Sequence, residues 1–88
     1  MTRRRVIVHG RVQGVFFRDS VRRLAGERGV AGFAINREDG TVEAVFEGEA
    51  DAVEALVDFC RRGPSQARVE RVEEDEEEPE GLQGFRVA

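Results

Sequence analysis

Two helical stripes set among β-like runs constrain this chain most. From about Phe17 to Arg28 the apolar residues fall at Phe17, Val21, Leu24 and Ala25; from about Ala50 to Arg62 they fall at Val53, Leu56, Val57 and Cys60. This spacing gives each helix one apolar stripe, which must be covered by another layer. Gly29 is suited to end the first helix, and Gly63-Pro64 ends the second. Glu49 or Asp51 sits near the positive start of the second helix. Arg5 to Gly10, RVIVHG, is β-branched and reads as a strand ahead of the first helix. Val30 to Arg37 reads as a central strand, Glu38-Asp39-Gly40 as a hairpin turn, and Thr41 to Gly48 as the returning strand. In that strand Val42, Ala44 and Phe46 share one face, while Glu43, Val45 and Glu47 share the other. Ala67 to about Asp75 predicts a further strand. Its Val69 and Val72 are three positions apart, so a bulge or twist is expected there. Phe85 to Val87 predicts a short edge strand after the loop from Pro79 to Gly84.

The resulting order is β-α-β-β-α-β with a small C-terminal strand. It predicts an α+β fold, the ferredoxin-like sandwich, with two helices on one face of a mostly antiparallel sheet. Right-handed crossovers would set the first and third strands side by side. The sequence shows no repeat, linker or boundary, so residues 1–88 are read as a single domain. A chain of this length buries only about 60–65% of its unfolded surface, which leaves a modest stability margin.

Composition removes several functions. The net charge is −4 and every basic residue is arginine. The acidic balance argues against general nucleic-acid binding. With no lysine, a Walker A loop and Schiff-base chemistry are both impossible. A single cysteine, Cys60, forbids an intramolecular disulfide and reads as a core thiol. The thiol-phosphatase loop is ruled out as well, because Gln66 stands where that loop needs its arginine. No apolar run has the length of a membrane span, and Met1-Thr2-Arg3-Arg4-Arg5 leads into a strand rather than a signal-peptide core. The expected location is the cytoplasm, and a monomer is the default for so small a sandwich. The acidic run Glu73 to Glu78 reads as a solvated strand end or hairpin arm.

At the first strand-to-helix junction stands GRVQGVFFRDS, Gly10 to Ser20. A glycine-bearing turn feeding a helix presents unpaired N–H groups and the positive end of the helix dipole. Gly14 permits positive φ and close approach of a ligand to the backbone. Arg18, in the first helical turn, carries a planar fork able to grip two phosphate oxygens. Together they would form a phosphate cradle. Taken alone, the loop is read equally well as a tight connection beside a surface arginine.

Further motifs shift that balance. The words Gly10-x-Val12-Gln13-Gly14-Val15-x-Phe17-Arg18, then Gly32-Phe33-Ala34-Ile35-Asn36, then Asp39-Gly40-x-Val42-Glu43 and Glu47-Gly48 follow in order. They resemble the acylphosphatase family, and the likeness runs from Val6 to the end of the chain. Ile35 departs from the pattern, which more often has a long basic or unbranched side chain before the asparagine. The resemblance implies hydrolysis of carboxyl–phosphate anhydrides, with small-molecule acyl phosphates as substrates and no metal or other cofactor. It implies that Arg18 binds the phosphate, that Asn36 positions the attacking water, and that the amides of Gly14, Val15, Phe16, Phe17 and Arg18 complete the cradle. The attacking water's proton would go to the substrate's own phosphate oxygen.

The residues themselves are compatible with this chemistry. A carboxylate leaves without a general acid, so positioning and charge stabilisation can drive the transfer. His9, the single histidine, lies in the first strand and reads as a strand polar residue. No metal-ligand spacing is visible. An asparagine before a hairpin often satisfies only local backbone groups, and the paired motifs argue against that reading for Asn36. Asp19 and Ser20 are assigned helix-start roles; Arg11, Arg22, Arg23 and Arg37 are read as solvated.

Two other readings compete with this one. RNA-recognition domains use the same element order but need exposed aromatics on the central strands, whereas Glu43, Val45 and Glu47 predict an acidic face. An acylphosphatase-like module inside a larger carbamoyl-transfer protein is the other. The initial methionine and the single domain favour a free-standing enzyme.

Overall fold

In the computed structural model, which describes residues 1–88, the chain runs β1 (Thr2–Arg11), α1 (Phe17–Arg28), β2 (Ala31–Asn36), β3 (Val42–Gly48), α2 (Ala50–Arg62), β4 (Arg68–Glu77) and β5 (Phe85–Val87). The sheet order is β4-β1-β3-β2-β5. Its β1–β3, β1–β4 and β2–β3 pairs are antiparallel, and the β2–β5 pair is parallel. This is the ferredoxin-like sandwich, with β1 and β3 adjacent as expected. No helix is long and apolar enough to cross a membrane.

The helical stripes close over the sheet. Phe17, Val21 and Ala25 from α1 and Val53, Leu56, Val57 and Cys60 from α2 join Val6 and Val8 of β1 and Val42, Ala44 and Phe46 of β3 in one buried cluster. Leu24 is only partly buried and packs at its margin. Burial pushes the Cys60 thiol up to about 12, and the neighbouring Arg61 charge only partly opposes that shift.

The expected bulge lies in β4. Val8 pairs with Val72 and His9 with Arg71, but Gly10 pairs with Val69, so Glu70 is the extra residue. That insertion lets both valines pack against the core despite their spacing of three. Gly10 makes the register possible. Its φ is 128°, and a Cβ there would lie 2.1 Å from the Arg68 carbonyl oxygen.

Two expectations need correction. The first strand begins at Thr2 rather than Arg5, and β4 continues to Glu77. Register explains both, because Arg3, Arg4 and Arg5 lie opposite Glu77, Glu76 and Asp75. The acidic run is thus largely a strand arm. Arg3 and Arg5 both meet Glu77 at 2.8 Å, and Arg4 meets Glu74 at 3.2 Å.

The second correction concerns the helix-free face. Val45 and Glu47 are buried, so Glu43, Val45 and Glu47 do not form an open acidic surface. Glu47 is 1% exposed and Arg3 4%, and they are bonded at 2.7 Å. The same carboxylate accepts the N–H groups of Glu80, Gly81 and Leu82 at 2.8, 3.0 and 3.0 Å. Burial by itself would raise the Glu47 carboxyl. The Glu80 N–H, the Arg3 guanidinium and the Leu82 and Gly81 N–H groups outweigh it and hold the carboxyl at about 2. A buried carboxylate therefore fastens the loop that leads into β5.

Candidate active site

The connection between β1 and α1 is held by three buried side chains. Val12, Val15 and Phe17 are buried in the core, whereas Gly14 and Phe16 are exposed. Each buried valine or phenylalanine contributes about 1.5–3 kcal/mol, enough to fix the path of so short a loop. Gly14 has φ 74° and Phe16 has φ 65°, ψ 22°. Phe16 is the N-cap of α1 and offers no side-chain cap; its carbonyl accepts the Ser20 N–H at 3.0 Å. The N–H groups of Gly14, Val15 and Phe16 donate to no other backbone group. Those of Phe17 and Arg18 lie in the first helical turn, where the helix supplies no acceptor.

A cavity of about 320 Å³ opens beside this loop, lined by Val12, Gly14, Phe16, Phe17, Arg18, Asp19, Asn36 and Val87. Of the residues singled out in the sequence, Gly14, Phe16, Phe17, Arg18 and Asn36 therefore surround one space. Val15 does not line it; its side chain anchors the loop in the core. Arg18 is the only cation on the wall. Asp19 also contributes, but its carboxylate is taken by Arg22 at 2.6 Å and Arg23 at 3.0 Å. The helix-start role expected for Asp19 fits that pairing, and Ser20 lies outside the cavity. A larger groove of about 540 Å³ between α1 and α2 holds neither Arg18 nor Asn36.

Asn36 ends β2, opposite Val42. Its Oδ1 is buried without a hydrogen-bond partner. A buried acceptor left unpaired costs about 1–3 kcal/mol, so this oxygen needs a reason to be there. Its main-chain N–H donates to the Ala88 carbonyl oxygen at 3.3 Å. The same oxygen accepts Nη1 of Arg18.

Gln13 ties the loop to the β2–β3 hairpin. Its Nε2 donates to the carbonyls of Arg37 and Thr41 at 2.8 and 2.9 Å. Within the hairpin, Asp39 accepts the Thr41 hydroxyl at 2.6 Å and its N–H at 3.1 Å. The hydroxyl bond, then the N–H bond, holds the Asp39 carboxyl below the usual carboxylate range. His9 lies away from the cavity, paired with Glu73. The His9 bond, followed by that from Arg71, lowers the Glu73 carboxyl.

The acylphosphatase family profile matches residues 4–87. The chain belongs to the acylphosphatase family. An acylphosphatase of Rubrobacter xylanophilus is 60% identical over 84 residues, covering 94% of this chain and 76% of that protein. The crystal structure of acylphosphatase from Bacillus subtilis superposes with a TM-score of 0.95 at 37% identity, covering 100% of this chain and 99% of that one. An acylphosphatase structure from Coxiella burnetii gives 0.93 at 42% identity, covering 99% and 92%. The chain is thus an enzyme with acylphosphatase-type hydrolysis as its general activity.

Around this acylphosphatase cavity, sequence reasoning missed the parts played by Val12, Gln13, Val87 and Ala88. Gln13 lay inside the quoted motif but bonds to main-chain carbonyls, which no residue type announces. Ala88 acts through its own carbonyl, and only the parallel placement of β5 brings that oxygen to Arg18.

Proposed function

We propose that this enzyme hydrolyses the carboxyl–phosphate bond of small acyl phosphates. The phosphoryl group would rest on the N–H groups of Gly14 to Arg18, with the Arg18 guanidinium across its oxygens. Both donor types suit charge that spreads over the transferred oxygens in the transition state. The water would be held by the side chain of Asn36. Its oxygen forms the new bond to phosphorus as the bond to the bridging oxygen breaks, and the carboxylate departs with that electron pair. A carboxamide is a negligible base, so the water's proton passes to a phosphoryl oxygen of the substrate. No protein acid is needed for a leaving group that departs as a stable carboxylate.

The observation that carries this reading is the shared cavity. The loop, Arg18 and Asn36 line it together. The test is phosphate release from benzoyl phosphate with EDTA present, for the parent, Arg18→Ala and Asn36→Ala. Parental rates in both variants would remove the assignment.

A further inference from the structure

Three large apolar side chains stand exposed on this chain: Met1 at 80%, Phe16 at 71% and Val87 at 37%. Met1 is the first residue. The other two line the same cavity, from the loop and from β5 respectively. Phe16 is also the one non-glycine residue with positive φ. For a bulky side chain this left-handed geometry is an outlier that costs about 1–2 kcal/mol. An exposed ring gains little burial to offset that cost, and glycine or asparagine would satisfy the backbone better. Backbone strain and solvation therefore both act against phenylalanine here. Strain of this kind clusters where a ligand is handled.

The phosphoryl group gives this ring nothing to do, since N–H donors and a guanidinium meet its needs. The apolar part of an acyl phosphate is the acyl group, joined to phosphorus through one oxygen. A phosphate held on the Gly14–Arg18 amides therefore leaves its acyl group at the rim of the same cavity. We infer that Phe16 and Val87 form an apolar shelf for the acyl group, so that bulky apolar or aromatic acyl phosphates are favoured over small ones. This rests on the phosphate-site reading above and adds to it a class of substrate.

The test compares kcat/KM for benzoyl and acetyl phosphate in the parent, Phe16→Asn, Phe16→Leu and Val87→Thr. Each variant is read by the ratio of the two constants, because an effect on the shared phosphate step cancels. Phe16→Asn should lower the benzoyl-to-acetyl ratio about fivefold or more, the scale of a lost aromatic contact. Its Tm should stay level or rise as the strain is eased. Phe16→Leu keeps apolar surface and should retain most of the ratio. Val87→Thr keeps the branched shape on a separate element and should lower the ratio about twofold, at the small end of an apolar contact. Ratios at the parental value in both Phe16→Asn and Val87→Thr would overturn the shelf; if Phe16→Asn fails to fold, Val87→Thr decides. Hydrolysis of neither substrate by the parent would instead remove the phosphate-site reading itself.

Discussion

Arg18 and Asn36 are tied to a single oxygen: the guanidinium of one and the main-chain N–H of the other both donate to the carbonyl of Ala88. The residue just past β5 thus links the cation of α1 to the β2 backbone that carries the carboxamide. Arg18→Ala should lower kcat/KM about 10²-fold or more, the usual scale for one lost transition-state charge stabiliser. Deleting Ala88 keeps the charge but frees its side chain, so a smaller loss is expected. Steady-state kinetics on benzoyl phosphate check both; a deletion variant as impaired as Arg18→Ala would contradict the positioning role.

Asn36→Ala should abolish turnover while phosphate still inhibits with nearly the parental constant. The same change removes a buried oxygen without a partner, so thermal stability should be level or raised. A large fall in Tm would mean that Asn36 mainly supports the fold.

Gln13→Ala removes two hydrogen bonds between the loop and the hairpin. About 1–2 kcal/mol of stability should be lost. kcat/KM should fall roughly tenfold through misplacement of the loop relative to Asn36. Denaturant melts and kinetics on one preparation separate the two effects.

Glu47 makes stability depend on acid pH. Its folded-state carboxyl lies at about 2 against an ordinary 4.5, so the folded protein binds the proton more weakly than the unfolded chain. The stabilisation is complete above about pH 4.5 and drains away as pH falls towards 2. Glu77, lowered by Arg5 and then Arg3, acts in the same direction. Glu47→Gln should cost about 2 kcal/mol or more at neutral pH, because buried Arg3 loses a partner. It should also flatten the dependence in that window. Urea midpoints taken from pH 7 to pH 2.5 report both, and parallel curves for parent and variant would refute the assignment.

Cys60 is fully buried and its thiol is pushed up to about 12. Ellman's reagent should leave it untouched in the native protein and react once guanidinium unfolds the chain. Rapid native labelling would show that α2 opens far more readily than its packing implies.

The elements whose information is local were legible in advance. The stripes of α1 and α2 matched their helices because a buried face imposes its period on the residues that fill it. The bulge in β4 was visible as the misplaced spacing of Val69 and Val72. Gly14, Arg18 and Asn36 stood out because their motifs are unusual. What escaped notice depends on partners distant in sequence. Arg3 and Arg4 read as lying ahead of the first strand until Glu77 and Glu76 are set across from them. Glu47 alternated like a surface residue because nothing near it discloses that residues 80–82 will enclose it. The bond to Ala88 involves only a carbonyl oxygen and so leaves no trace in residue identity.

The place of Ala88 also governs what can be attached to this protein. Residues placed after that carbonyl would lie beside Val87 and the Arg18 fork, next to the cavity of the proposed phosphate site. An affinity handle or fluorescent fusion is better joined ahead of Met1, whose side chain stands in solvent and takes no part in lining that cavity.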